Sequence, residues 1–404
     1  MSNSVKIPNF NAFTALGDPG CDGLGAEIMT IFGGGLNAAA ADSDFSLILG
    51  DIVPYGSERF YKSVRNFIRT TAAHEVYALK GNHDKEFYNE YFGDPEYTLC
   101  DDNTAIVVLD NSSREFTPNG LELLEKSLTE HKDKNIILAM HIPPPNSVCL
   151  NSLGESEWAK ITRLFEKTGK SPCYLLCGHV HSYFEADVFG IKLIASGGGG
   201  AREEDIEGVS RSGYHRVRFF YDDGNLLYEK LPIRTKPVNY DDKDISENLL
   251  KSFTNECVAH IKYKIYAEDA LRRGLPNLSK LLSALAESEY YHARNFLYAH
   301  GENFEPAAYL KDSLTSETDE AERVYPKLLK LARERNAGLA EYAYSDALAA
   351  EKGHRILLEN ALESGDIEPM SYYTCTSCGK TFTAQGGEKA ETCPVCGAPC
   401  DKIK

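Results

Sequence analysis

Glu289-Tyr290-Tyr291-His292 and Glu351-Lys352-Gly353-His354 decide how the second half of this chain is read. On an α-helix, residues i and i+3 point to the same side, one turn apart. Each pair therefore aims a carboxylate and an imidazole at one place. Two further acidic positions extend the pattern: Glu256 upstream of the first pair, and Glu317 with Glu320 between the two pairs. One Glu on each of two helices, plus a Glu-x-x-His on each of two others, is how a four-helix bundle builds a di-iron or di-manganese carboxylate site in its core. A single such pair on a solvated helix face arises easily by chance. Two pairs, on a second and a fourth helix with glutamates on the first and third, do not.

The flanking residues predict those four helices. The first runs from Ser246, as N-cap, to about Arg273, with Leu249, Leu250, Phe253 and Ile261 on its apolar face. The second runs from Leu278 to about Tyr298. The third begins before Glu317 and passes Leu331 with a kink at Pro326, and the fourth runs from Gly338 to Leu362. This stretch resembles the rubrerythrin family of ferritin-like di-iron proteins, through Glu256, Glu289-Tyr-Tyr-His292, Glu317-Thr-Asp-Glu320 and Glu351-Lys-Gly-His354. The resemblance implies two irons held by Glu256, Glu289, His292, Glu317, Glu320, Glu351 and His354. It also implies reduction of hydrogen peroxide to water, an external electron donor such as a reductase, and a homodimer or larger assembly. Glu317 is the extra carboxylate that separates the family from simpler ferritin-like sites.

Downstream, Cys375-Thr-Ser-Cys378 and Cys393-Pro-Val-Cys396 offer four thiolates on two knuckles. Such a set makes a tetrahedral site for zinc or iron, and a segment this short needs its metal to fold. The residues leave zinc and iron both open. The segment resembles the rubredoxin-like tail of rubrerythrins, which implies one iron cycling between Fe(II) and Fe(III) to feed the di-iron site. Cys400 follows as a spare thiol.

The first half has a different grammar. Short apolar runs end in polar residues: Phe13–Gly17 in Asp18, Phe45–Gly50 in Asp51, Val76–Gly81 in Asn82, Ile136–Met140 in His141, and Tyr174–Gly178 in His179. These read as buried strands, and carboxyl ends of buried strands are where layered α/β proteins place their sites. Asp18, Asp51, Asn82, His83, Asp84, His141, His179 and His181 together suit two divalent or trivalent metals, Fe, Mn or Zn. A metal pair about 3.5–4 Å apart clamps a phosphate ester and supplies a hydroxide nucleophile.

The ordered set Gly17-Asp18-Pro-Gly20, Gly50-Asp51, Gly81-Asn82-His83-Asp84, His141-Ile-Pro-Pro and Gly178-His179-Val-His181 resembles the calcineurin-like metallophosphoesterase family. That implies a β-sandwich flanked by helices. By analogy Asp51 bridges both metals, Asp18 and His181 hold the first, and Asn82, His141 and His179 hold the second. His83 is then the general acid for the leaving oxygen, oriented by Asp84. Most of that family has His where this chain has Gly20. The purple-acid-phosphatase branch has Gly there too and uses a Tyr after the second Asp. Tyr55 is the candidate here, one position later than that branch's spacing. Gly197–Gly200 lacks the Gly-Lys-Ser/Thr of a P-loop and reads as a tight turn by the cleft. Gly33-Gly-Gly35 reads as an interruption of the helix between Asp18 and Asp51.

Composition sets the frame. At 404 residues, 42% hydrophobic and 25% charged, the chain holds more than one domain. Pro232, Pro237 and the acidic run Asp241-Asp-Lys-Asp244 read as a linker. The expected domains are 1–239, phosphoesterase; 240–366, ferritin-like bundle; and 367–404, rubredoxin-like knuckles. A net charge of -17 argues against nucleic-acid and anionic-membrane partners. No membrane-spanning run and no signal peptide are evident, so a cytoplasmic location is expected. The readings are a phosphoesterase–peroxidase fusion, a peroxide- or oxygen-sensing di-iron module regulating the phosphoesterase, or a non-catalytic iron-binding protein with a degenerate phosphoesterase domain.

Overall fold

A computed structural model describes residues 4–21, 26–233, 243–300, 306–364, 371–384 and 391–399. The expected junctions at 239/240 and 366/367, and Cys400, lie outside these. Packing divides the chain into two compact units, Met1–Glu302 and Asn303–Lys404. The division falls inside the helical stretch.

The first unit opens with β1 (Ser4–Lys6), β2 (Ala12–Leu16), α1 (Ala26–Asp42), β3 (Phe45–Ile48), α2 (Glu58–Thr71), β4 (Glu75–Ala78) and α3 (Tyr88–Phe92). There follow β5 (Tyr97–Cys100), β6 (Thr104–Val108), α4 (Pro118–Glu130), β7 (Asn135–Met140), α5 (Glu155–Thr168) and β8 (Tyr174–Cys177). Then come β9 (Tyr183–Val188), β10 (Ile191–Ser196), β11 (His215–Asp222) and β12 (Asn225–Pro232). They form two sheets, in the orders β1-β5-β6-β7-β8-β10-β9 and β12-β11-β2-β3-β4. Phe13, Phe45, Leu47 and Phe219 from one sheet and Ile106, Val108, Ile137 and Leu176 from the other share the core between them. Helices α4 and α5 cover the outer face of the larger sheet through Leu124, Leu128, Trp158 and Ile161. Helices α1 and α2 cover the smaller through Ile31, Phe32, Tyr61 and Val64. This is the expected sandwich flanked by helices. Because β2, β3 and β4 run parallel, as do β6, β7 and β8, their carboxyl ends gather at the same rim.

The triple glycine does not break α1. A Cβ at Gly33 would meet Phe67 at 2.8 Å, and one at Gly35 would meet Leu16 at 2.8 Å. The glycines instead let α1 sit close on α2 and the sheet.

After the sandwich, α6 (Lys243–Arg272) and α7 (Pro276–His300) form a hairpin, and α1 packs against α7. Helix α6 begins before Ser246, which lies inside it rather than capping it. The second unit holds α8 (Pro306–Asp319), a π-helical turn Glu320–Val324, α9 (Tyr325–Glu334), α10 (Gly338–Ser364) and the ribbon β13 (Ser371–Thr374) with β14 (Thr381–Ala384). The expected kink appears as that π turn. Pro326 has no N–H to donate to the preceding turn, so the ladder slips before it. Among the described residues no helix is long and apolar enough to cross a membrane.

Candidate metal centres

At the sandwich rim, Asp51, His141 and His179 bring ligand atoms within 4.8 Å of one another, and so do Asp18, Asp51 and His181. Asp51 belongs to both groups, as a residue shared by two ions would. Its Oδ2 lies 3.3 Å from His141 Nε2, and His83 N–H donates to its Oδ1 at 2.7 Å. Gly81 is required beside it: a Cβ there would stand 2.2 Å from Asp51 Oδ1. Asn82 Oδ1 is 3.1 Å from the same His141 nitrogen. His141 Nδ1–H donates to the Leu49 carbonyl at 2.7 Å, which leaves Nε2 as the ligand atom. His179 Nε2 lies 3.0 Å from Asn151 Oδ1 while its Nδ1 is buried with no hydrogen-bond partner, the state of an atom left over for a metal. His181 Nδ1 faces the Arg202 carbonyl at 3.1 Å and its Nε2 faces Asp18 Oδ1 at 3.7 Å. Asp18, Asp51, Arg114 and His179 all have φ between 48° and 70°, a left-handed conformation rare outside glycine and concentrated at functional sites.

Burial pushes the Asp18 carboxyl well up, and His141 and Asp51 act on it in opposite senses. Asp51 is also penalised by burial, but hydrogen bonding and charge from His141 bring it down overall. Burial and the charge of His141 push His179 down to about 3, so its imidazole is neutral and able to ligate. The donor set fits two metal ions.

Two expectations change here. Asp84 does not touch the His83 ring. Its oxygens accept from the Ile52, Val53 and Gly81 N–H groups and the Tyr61 hydroxyl, because a buried carboxylate needs every donor in reach. The Pro54 carbonyl orients His83 instead, 2.7 Å from Nδ1. Tyr55 is 61% exposed, its ring edge-on to Phe60, with no hydrogen bond to either aspartate. Three residues not singled out in the sequence also frame the site. Asn111 accepts from the His141 and Ile142 N–H groups. Arg114 donates to the Ser152 carbonyl and Asn151 Oδ1, with a guanidinium nitrogen 3.3 Å from His179 Nε2. Their only sequence signal is position, in the loop after β6 and the loop before α5. Gly197–Gly200 is indeed a turn against the cleft: Gly199 N–H donates to the Gly17 carbonyl.

In the hairpin, Glu256, Glu289 and His292 bring ligand atoms within 4.8 Å. His292 Nδ1 is 2.8 Å from Glu289 Oε2. Burial and the Glu289 carboxylate raise the Glu256 carboxyl. In the second unit, Glu317, Glu351 and His354 do the same. His354 Nδ1 lies 2.8 Å from Glu351 and 3.4 Å from Glu317. Burial, with Glu351 and then Glu320 against it, pushes Glu317 up to about 8. Glu320 stands outside that tight group, yet burial and Glu351 raise it too. Carboxylates gathered against their own repulsion fit a cation.

Cys375, Cys378, Cys393 and Cys396 also bring their ligand atoms within 4.8 Å of one another. Cys375 and Cys396 sulfurs are 3.7 Å apart, as are those of Cys378 and Cys393. Four sulfurs each about 2.3 Å from one ion at tetrahedral angles lie about 3.7–3.8 Å apart. Among the described residues of this segment only Cys375, Cys378 and Cys393 are buried, with Ala398 packed on them, an apolar core too small to hold the segment without a metal. This cluster is tied to the neighbouring Glu317, Glu351 and His354 group: His354 Nε2 is 3.3 Å from Thr381 Oγ1, and Lys380 Nζ donates to the Ala349 carbonyl at 3.1 Å.

Residues 247–362 match the rubrerythrin family, and residues 12–183 match the family described as calcineurin-like phosphoesterase. Rubrerythrin-2 of Clostridium acetobutylicum is 30% identical over 174 residues, 39% of this chain and 93% of the relative. The chain belongs to the rubrerythrin family. It is a rubrerythrin preceded by a calcineurin-like phosphoesterase domain, and both domains are of enzyme families. Rubrerythrin of Clostridium perfringens is 28% identical over 177 residues, 38% of this chain and 90% of the relative. Nigerythrin in a mixed-valence state matches 42% of the chain and 92% of its own at 23% identity and a TM-score of 0.25.

Proposed function

We propose that this rubrerythrin hydrolyses a phosphate ester in its sandwich domain and reduces hydrogen peroxide at a di-iron centre fed by its cysteine tail. The observation that carries the redox reading is the contact between His354 and Thr381. Thr381 leaves the first knuckle three residues after Cys378, so one hydrogen bond joins the cysteine cluster to a candidate iron ligand. We assign the phosphoesterase to residues 1–239, the di-iron domain to 240–366 and the tail to 367–404.

Two irons, when bound, supply two electrons to one O–O bond without releasing a radical. Glu256, Glu289, Glu317, Glu320, Glu351, His292 and His354 are the proposed ligands, and Cys375, Cys378, Cys393 and Cys396 hold a third iron. Each peroxide consumes two electrons and two protons and yields two waters, so an external donor must renew the chain.

In the sandwich, a bound metal pair supplies the nucleophile and offsets charge on the phosphoryl group. Asp18, Asp51, Asn82, His141, His179 and His181 are the proposed ligands. His83 Nδ1–H is held by the Pro54 carbonyl, which leaves Nε2 to give a proton to the leaving oxygen. One observation favours a second reading, in which iron oxidation regulates the esterase: α7, which carries Glu289, packs on α1, the helix that follows the Asp18 strand. Measuring ester hydrolysis and peroxide consumption on anaerobically purified protein, ferrous and ferric, tests both. Absence of peroxide consumption by the ferrous protein would sink the redox reading.

A further inference from the structure

We propose that Tyr55 is a stacking platform for the leaving group of the sandwich-domain ester, and that this ester carries a planar ring beyond the oxygen it releases, as a nucleoside monophosphate does. The inference rests on the phosphoesterase reading above and names the substrate class of that site.

The general acid fixes where the leaving group lies. His83 Nε2 stands 3.9 Å from Asp51 Oδ2, so it faces the carboxylate shared by both candidate metal groups of the rim. A phosphoryl group held there has its leaving oxygen at Nε2, and the alcohol portion extends away from the metals, past His83. The Pro54 carbonyl holds the other nitrogen of that ring at 2.7 Å. Tyr55 is the next residue, one Cα step of about 3.8 Å further along. The platform and the acid therefore share one backbone anchor.

A single exposed aromatic ring needs no explanation of its own. The backbone around Tyr55 is what singles it out. Before it, the Ile52 and Val53 N–H groups donate to the buried Asp84 carboxylate. After it, the Ser57 N–H donates to the Tyr55 carbonyl at 2.7 Å. Gly56 presses on the loop that carries His83: a Cβ there would stand 2.5 Å from Lys85 Cβ and 3.0 Å from the Lys85 backbone nitrogen. Phe60, itself buried, braces the Tyr55 ring edge-on at 5.0 Å. A segment so tied still leaves Tyr55 61% exposed, so the cost of ordering a platform is met before any ligand arrives.

The His83 loop carries a second ring. Phe87, two residues after Lys85, is 37% exposed with a φ of 68°, a left-handed conformation that bulky residues rarely adopt and that gathers at functional sites. The two loops that meet at Gly56 and Lys85 thus each present an aromatic side chain next to their contact, on the side of the general acid. Stacking takes any flat π-face and asks for no particular hydrogen bond, which suits a base or aryl ring and gives nothing to an open-chain or sugar alcohol.

Adenosine monophosphate and ribose 5-phosphate test this, because they share the phosphoryl group and the leaving alcohol and differ by the base. With the metal-loaded full-length protein, kcat/KM should favour adenosine monophosphate about tenfold, and Tyr55→Ala should bring that ratio close to one. Tyr55→Phe should keep both the ratio and the metal content, since the ring stacks without its hydroxyl. A wild-type ratio near one, a ratio that Tyr55→Ala does not move, or a Tyr55→Phe protein that loses the ratio or its metal overturns the proposal. Wild-type protein that hydrolyses neither ester would count against the phosphoesterase reading. Calorimetric binding of the same two esters then decides the platform by itself: a preference for adenosine monophosphate that Tyr55→Ala abolishes upholds it, and equal binding of the two overturns it.

Discussion

His354 Nε2 lies 3.3 Å from the Thr381 hydroxyl, with Nδ1 turned to Glu351 and Glu317. The ring therefore has one nitrogen for a metal and one for the cysteine tail. Outer partners of metal-bound histidines fix their orientation and tune the site, and losing one costs about 10–100-fold in affinity or activity. Thr381→Val should slow oxidation of the cysteine-bound iron by peroxide about tenfold. Stopped-flow absorbance of the ferric cysteine site measures it, and iron content should stay at the wild-type level.

The His83 side chain is half exposed, with Nδ1 fixed on the Pro54 carbonyl and Nε2 3.9 Å from Asp51 Oδ2. Its loss should matter most where the leaving oxygen is a poor one. His83→Ala should lower kcat about 10²–10⁴-fold with an alkyl phosphate. The loss should be much smaller with p-nitrophenyl phosphate, whose leaving group departs without a proton. Equal losses on both substrates would remove His83 from the acid role.

Arg114 has a left-handed backbone conformation, and its guanidinium, which donates to the Ser152 carbonyl and Asn151 Oδ1, lies beside His179. A cation so placed suits a phosphoryl oxygen. A hydrogen bond to a charged group is worth about 1.5–3 kcal/mol, so Arg114→Ala should cut kcat/KM for the ester about tenfold or more. Steady-state kinetics with unchanged metal content would locate the effect in substrate binding.

Much of both sites could be read from residue spacing, and the reasons differ. Glu-x-x-His works at a distance because helix geometry alone puts both side chains on one face. Asp18, Asp51, Asn82, His141 and His179 were legible because parallel strands deliver their carboxyl ends to one rim. What stayed hidden depended on packing. Asn111, Arg114 and Asn151 act through loops whose paths no periodicity encodes. Asp84 reads as the partner of His83 by adjacency, but burial commits it to backbone N–H groups. Gly33–Gly35 reads as a helix break because glycine is a poor helix former; close packing on Phe67 and Leu16 holds α1 continuous.

In the metal-free chain, Glu317 is raised from its ordinary 4.5 to about 8, by burial first and then by Glu351 and Glu320. A raised carboxyl contributes stability that is fully present below about 4.5 and is lost as pH climbs through about 8. At neutral pH the empty site therefore holds a proton that iron must displace. Iron uptake should release protons and tighten as pH rises from about 6 to about 8. Calorimetric titration with ferrous ion in buffers of different ionisation enthalpy checks this. An affinity flat across that range would contradict it.

The central claim is that one chain runs two separate metal chemistries, with the cysteine tail serving only the di-iron centre. Mixing anaerobically reduced protein with hydrogen peroxide, and following the cysteine-bound iron by absorbance, tests it most directly. Oxidation should be rapid in the wild-type protein and in Asp51→Asn, which should have lost ester hydrolysis, and absent in Glu289→Ala, which should retain it. Oxidation that persists in Glu289→Ala, or that fails in Asp51→Asn, would contradict the account.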